Sequence, residues 1–258
     1  MSSPSFRSRL AGVALLPLAA LFVDATGAAA QADPTSTTTP ETTTTVAPAP
    51  PAPPAPPAPV VLHYLPLSGP TLAEGAKAPE VFLMQITLTA RGFWLSDFPG
   101  NFGASTRHAL VSFQKYMGLP RNGKLDELTR FVLGATMDRA VPNRPMPGRA
   151  IEVDIARQVM IVSENGVTIW VFDVSTGTRS TPTPRGSYRI GRQINGQRVS
   201  RLGQLWRPKY FTGGYALHGS PSVPNYPASH GCVRMTNQEI NFLWDANLAP
   251  IGTPVTLY

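Results

Sequence analysis

A chain of 258 residues, 42% hydrophobic and only 14% charged, with 28 prolines and one cysteine, has room for one or two domains. A single thiol excludes an internal disulfide framework and any Cys-rich zinc or iron–sulfur site, and four histidines without an H-E-x-x-H pair speak against a zinc protease. The formal charge of +7 calls for an anionic partner, with nucleic acid, a membrane surface and an anionic wall polymer as the open classes.

Residues 1–30 read as a secretory signal peptide. Arg7 and Arg9 precede an apolar run of 14 residues (10–23), and Ala28-Ala29-Ala30 offers small residues for cleavage. The rival reading is a membrane anchor, but the run contains Pro17 and a spanning helix needs about 20 residues. Lipid anchoring requires a Cys beside the cleavage site, and the one cysteine is Cys232. The expected location is therefore outside the cytoplasm: secreted, in the periplasm or cell wall, with membrane contact only if the signal stays uncleaved. Residues 31–60 collapse to Thr, Pro and Ala, which offer almost nothing to bury and read as a disordered spacer. Its Pro-Ala half predicts polyproline II, roughly 40 Å long at about 3.1 Å per residue.

Residues 61–136 have the pattern of a small three-helix bundle. One helix is expected from Pro79 to Arg91, with Pro in the first turn. A second starts at Ser105 as N-cap and carries Leu110, Phe113 and Met117 at helical spacing. A third begins near Asp126 and presents Leu128, Phe131 and Val132. His108 reads as a surface or boundary histidine rather than a ligand. Arg91-Gly92-Phe93, Asn101-Phe102-Gly103, Thr106, Phe113-Gln114, Gly118-Leu119-Pro120 and Asn122-Gly123 together resemble the peptidoglycan-binding domain type 1, although Pro99-Gly100-Asn101 replaces that family's usual Asp-Gly turn. Residues 137–148, ending in Pro142, Pro145, Pro147 and Gly148, read as an inter-domain linker.

From 149 to 258 the period changes to alternation. Ile151, Val153 and Ile155 alternate with Glu152 and Asp154, and Asn165-Gly166 between two apolar runs is a hairpin signal. Ser187–Ile190, Tyr215–His218 and Val255–Leu257 add short strands. Thr236 to Leu248 is the one good helix, opened by the capping box Thr236-x-x-Glu239. The fold class expected is multidomain: a three-helix bundle, then a β-rich, sandwich-like domain with one capping helix.

Cys232 lies in Ser229-His230-Gly231-Cys232-Val233-Arg234. A leftover thiol is inert and buried, paired between chains, or reactive. Its neighbours favour the last. Gly231 leaves backbone N–H groups free for an oxyanion, His230 and Arg234 would favour thiolate, and His218 ends a strand upstream. Between Asp173 and Glu239 there is no acid but nine Arg or Lys, so a Cys-His-Asp triad cannot come from this segment. A carbonyl, an amide or a distant acid must orient His218. The positive stretch points to an anionic substrate or is simply a solvated surface.

His218-Gly219-Ser220, ten residues, then Ser229-His230-Gly231-Cys232-Val233-Arg234 resembles the signature of the L,D-transpeptidase (YkuD-like) catalytic domain, as do Val174-Ser175-Thr176-Gly177 and Gly252-Thr253-Pro254-Val255. The resemblance implies an exported peptidoglycan L,D-transpeptidase. Cys232 would take up a tetrapeptide stem as a thioester, releasing D-Ala, and pass it to an amine to give a 3–3 cross-link. His218 would be the base, Gly219 its orienting carbonyl, and Gly231 with Cys232 the oxyanion donors. Ser229, His230 and Arg234 would support the site or the substrate. No metal or organic cofactor is called for, and carbapenems should acylate Cys232. Partners implied are stem peptides and, less directly, glycan; export and the lack of a basic-aromatic motif exclude nucleic acid. Two alternatives stay open: a wall hydrolase such as an L,D-carboxypeptidase using water as acceptor, and a catalytically silent wall-binding protein.

Overall fold

A computed structural model describes residues 65–136, 138–200 and 203–258. The export signal (1–30) and spacer (31–60) expected from the sequence lie outside the described residues.

The helical unit has the three expected helices: α1 (Pro79–Ala90), α2 (Ala104–Met117) and α3 (Glu127–Ala135). Pro79 opens α1 and Asp126 caps α3 by accepting the Thr129 N–H at 2.8 Å. Two expectations are corrected. Ser105 is not the N-cap of α2; that position is Gly103, and Asp97 caps from outside by accepting the Thr106 N–H at 2.6 Å. Gly103 is required there because a Cβ would lie 2.7 Å from the Asp97 carboxylate. Nor does α3 present its bulky face inward: Leu128 and Phe131 are 50% and 54% exposed. The buried positions are Thr129, Arg130 and Leu133, because Thr129 Oγ1 is drawn to the amide of Gln114 at 3.1 Å.

The β-rich unit holds β1 (Arg149–Asp154), β2 (Val159–Glu164), β3 (Val167–Asp173), β4 (Gly186–Arg189), β5 (Arg192–Gln193), β6 (Gln197–Ser200), β7 (Gly203–Thr212), β8 (Tyr215–Ser220), β9 (Val233–Thr236), helix α4 (Asn237–Asp245) and β10 (Pro254–Leu257). One sheet has the order β3-β2-β1-β10-β4; the other runs β5-β7-β8-β9, with β6 also on β7. The β1–β10 and β8–β9 pairs are parallel and the rest antiparallel. Asn165 and Gly166, both at positive φ (50° and 78°), make the two-residue hairpin turn between β2 and β3. The capping box of α4 has both halves. A single apolar cluster, including Val153, Met160, Phe172, Leu217, Val233, Met235, Ile240 and Val255, joins the two sheets and α4.

The helical unit packs on the far face of the first sheet. Along β2, Met160 and Val162 face the sandwich core, while Val159 and Ile161 join Phe93, Leu88 and Phe113 in a second cluster. Burial on both faces explains why β2 opens with four consecutive apolar residues, 159–162. Residues 92–94 close the edge of β3, with the Val171 N–H donating to Gly92 O at 2.7 Å and the Trp94 N–H to Val171 O at 3.2 Å. Trp94 thereby enters the sandwich core and stacks on Phe242, ring centroids 5.1 Å apart. Residues 138–148 are fastened down rather than free. Arg139 Nε donates to Thr168 O (2.8 Å), Ala140 N to Arg91 O (3.0 Å), and the amides of Asn143 and Arg144 donate to the Glu152 carboxylate (3.0 and 2.6 Å).

Candidate active site

The site is built on the parallel pair β8–β9, where Leu217 lies opposite Val233 and His218 opposite Arg234. Alternation sends Leu217 and Val233 into the core. It sends Ala216, His218, Cys232 and Arg234 to the other side. Cys232 duly packs against Ala216, Leu205 and Tyr210. His218, Cys232, Arg234, Ser229 and His230 line one cavity of about 460 Å³, walled on the other side by Arg192, Arg198, Leu205 and Tyr210.

His218 is buried, and its Nδ1 lies 2.9 Å from Gly219 O. A carbonyl oxygen can only accept, so Nδ1 carries the proton and Nε2 keeps its lone pair. Burial pushes the imidazole down to about 4; the Gly219 carbonyl opposes that and the charge of Arg234 adds to it. A Cβ at Gly219 would lie 2.6 Å from both Asn237 Oδ1 and Ile240 Cγ2, so the position must be glycine for α4 to pack here.

Cys232 is half-buried, its Sγ 3.9 Å from Gly214 O. Here the structure corrects an expectation. Burial raises the thiol above its ordinary value, and a backbone hydrogen bond at Ala216 and the charge of Arg234 only partly offset it. Cys232 and His218 are thus both neutral at neutral pH, not a preformed thiolate–imidazolium pair.

The loop before Cys232 is held by Ser229, which is fully buried. Its Oγ donates to Cys232 O (2.6 Å) and accepts the Gly231 N–H (3.1 Å), while its backbone carbonyl accepts from Thr178 N (3.1 Å) and Thr181 Oγ1 (3.0 Å). This departs from the sequence expectation for Gly231: its N–H is engaged within the loop rather than free for an oxyanion. Gly231 is glycine for two other reasons. Its φ is +105°, and a Cβ would overlap the Tyr215 ring and approach Pro182 O to 3.3 Å.

Arg234 is half-buried in the cavity, and its side chain makes no ion pair among the described residues. Its backbone exchanges two 2.9 Å hydrogen bonds with Ser175. His230 is exposed at the rim. Arg192 stacks on Tyr210 with its guanidinium 3.8 Å from the ring centre. Sequence reasoning counted Arg192 and Arg198 only within a basic stretch. It had no signal for Tyr210, which reaches the site through β7, and read Tyr215 only as the start of a strand; Tyr215 opens β8 and lies against Gly231. Among the described residues no group of three or more His, Cys, Asp or Glu side chains could hold a metal.

Two family models match the chain: the L,D-transpeptidase catalytic domain (YkuD) over residues 148–257 and a peptidoglycan binding domain over residues 77–133. The crystal structure of an L,D-transpeptidase from Xylanimonas cellulosilytica is 37% identical, covers 79% of this chain and 100% of its own, and superposes with a TM-score of 0.69. An L,D-transpeptidase from Stackebrandtia nassauensis is 23% identical over 72% of this chain and 94% of its own, with a TM-score of 0.45. A search of curated proteins returns no match. Identity of that extent over the whole of the crystallised Xylanimonas segment (residues 123–326), together with the catalytic-domain match, means that the chain belongs to the L,D-transpeptidase family and is a peptidoglycan-modifying enzyme.

Proposed function

We propose that the protein is an exported peptidoglycan L,D-transpeptidase working through a thioester on Cys232. The observation that carries this reading is the shared face of β8 and β9, on which the only thiol and an imidazole with an unprotonated Nε2 open into one cavity. Because both groups rest neutral, His218 Nε2 takes the thiol proton as Cys232 Sγ attacks the stem carbonyl. The S–C bond forms, the C–N bond to the terminal D-Ala breaks, and the imidazolium returns its proton to the departing amine. An amine from a second stem then attacks the thioester, loses its proton through His218 and restores the thiol. With the Gly231 N–H held by Ser229, the backbone amide of Cys232 is the oxyanion donor we assign in the loop.

Arg192, Arg198 and Arg234 line the cavity with no carboxylate among its lining residues, which suits a stem peptide carrying several carboxylates. The helical unit supports retention on the polymer, and residues 1–30 support delivery to the periplasm or wall.

The test is incubation with a disaccharide-tetrapeptide, following protein and products by mass spectrometry beside Cys232→Ala. Loss of D-Ala with a cross-linked dimer, absent in the variant, is the expected result. Loss of D-Ala without a dimer, even with excess amine acceptor, would make it a carboxypeptidase. No acyl-enzyme and no product would leave a wall-binding protein.

A further inference from the structure

The helical unit matches a binding module, yet its helix α2 sends a lysine into the β-rich unit. Lys115 has no exposed surface. Its Nζ is paired with the buried carboxylate of Asp173 and donates to Val174 O at 2.8 Å. His108, two turns earlier on the same face of α2, lies 2.6 Å from the other Asp173 oxygen through Nδ1, while Arg107 donates to its Nε2 at 2.9 Å. Arg107 has only donors, so Nε2 accepts and the Nδ1 proton goes to Asp173. Two side chains of α2, Lys115 and His108, thus converge on the one Asp173 carboxylate.

Asp173 and Val174 begin the segment on which the Cys232 loop hangs. Ser175 exchanges two backbone hydrogen bonds with Arg234, and its Oγ donates to Tyr226 O at 2.8 Å. Thr176 O accepts the N–H groups of Ala228 and Ser229, both at 2.9 Å. A Cβ at Gly177 would lie 2.9 Å from Gly231 Cα, so at this point the two segments approach closely with no room for a side chain. Residues 226–234 therefore take their position from residues 173–178, and the start of that segment is fixed by α2.

We propose that Lys115 and Asp173 are positioning residues for Cys232, so that the helical unit is part of the catalytic apparatus as well as a wall-binding module. Displacing the start of the segment by a fraction of an ångström moves the loop relative to β8 and spoils the approach of Cys232 to His218. Surface docking alone would need no buried charge pair aimed at this segment; an apolar interface is ordinarily at least as stable as a buried ion pair.

This inference rests on the transpeptidase reading for its kinetics but not for its second readout. The full chain is compared with Lys115→Met/Asp173→Asn, which removes both charges together, and with Lys115→Met alone, which leaves Asp173 its hydrogen bond from His108 and serves if the double variant does not fold. The stem-peptide assay should give kcat reduced at least tenfold with KM within about twofold. Alkylation of Cys232 by iodoacetamide should become faster at neutral pH, with its pH midpoint shifted down toward that of an ordinary thiol. A folded variant with wild-type kcat and alkylation profile overturns the proposal, as does a rise in KM at constant kcat, which would mark a docking role only. If no stem is processed even by the wild type, the transpeptidase reading fails while the alkylation profiles still decide the positioning role.

Discussion

The imidazole of His218 donates its Nδ1 proton to the carbonyl of its own neighbour, Gly219, at 2.9 Å, a bond that fixes the tautomer without a carboxylate. It replaces the acid that the segment between Asp173 and Glu239 does not contain. A neutral partner stabilises the imidazolium less than an aspartate does, and burial lowers its basicity further.

The pH profile of acylation follows. The base must be unprotonated, and His218 is held down to about 4, so acylation should lose its acidic limb near that value instead of near 6.5. The raised Cys232 thiol should move the alkaline limb to higher pH than an ordinary thiol would give. Single-turnover acylation by a carbapenem, read by intact mass from pH 4 to 10, should give a broad plateau. An acidic limb centred at 6 to 7 would show an imidazole of ordinary basicity. The stability sign is the same: the unfolded chain takes up this proton first, so the His218 contribution is complete above about 6.5 and falls as pH drops toward 4.

Ser229 ties Gly231 N–H and Cys232 O together through one hydroxyl. Ser229→Ala leaves both groups without that partner in a buried loop, at a cost of about 1–3 kcal/mol, which falls on the loop and not on the sandwich core. Acylation should slow by roughly tenfold or more, with the melting temperature lowered by only a few degrees. Gly231→Ala should be worse, since the new methyl meets Tyr215 at φ +105°; a variant that folds and acylates normally would show that the loop tolerates another conformation.

Free carboxylates on the donor should be read by the cavity arginines. Arg192 is held in place by Tyr210, and both Arg192 and Arg198 are exposed, so screening limits what each contributes. Arg192→Gln/Arg198→Gln should raise KM for a stem with free carboxylates by about fivefold to tenfold. The same stem as its carboxamide should bind the variant and the wild type alike. Equal losses for both stems would mean that the arginines only shape the wall.

Much of this was legible in the sequence, for physical reasons. The Asn165-Gly166 turn, the Pro79 start of α1 and the Thr236/Glu239 box are local, each satisfied by its own backbone, so their spacing carried over. The longest strand, β7, was not. Pro208 and the positive φ of Arg207 (46°) interrupt alternation, and the register against β8 shifts between Trp206 and Lys209. In the site, the spacing of His218 and Cys232 was readable, but the burial that keeps the thiol neutral was not, because Leu205 and Tyr210 arrive from β7. His108, read as a surface or boundary histidine, is instead buried against Asp173, and Lys115 carried no signal, because that shared partner lies 65 and 58 residues away.

Glu239 gives the last prediction. It caps α4 by accepting the Thr236 N–H at 2.7 Å through Oε2, while Oε1 is buried without a partner. Burial raises this carboxyl to about 7; Asp173 adds to the rise, and the hydrogen bonds to Thr236 oppose it. An acid raised in the folded state contributes stability below its unfolded value, 4.5, and loses it as pH climbs through 7. The displacement corresponds to on the order of 3 kcal/mol, all of it gone by about pH 8. Glu239→Gln keeps an acceptor for the cap and has no charge to bury. Its melting temperature should match the wild type near pH 4.5 and exceed it by several degrees at pH 8. A variant less stable at pH 8 than the wild type would mean that the ionised carboxylate is held by its neighbours, and the burial argument for Glu239 would be wrong.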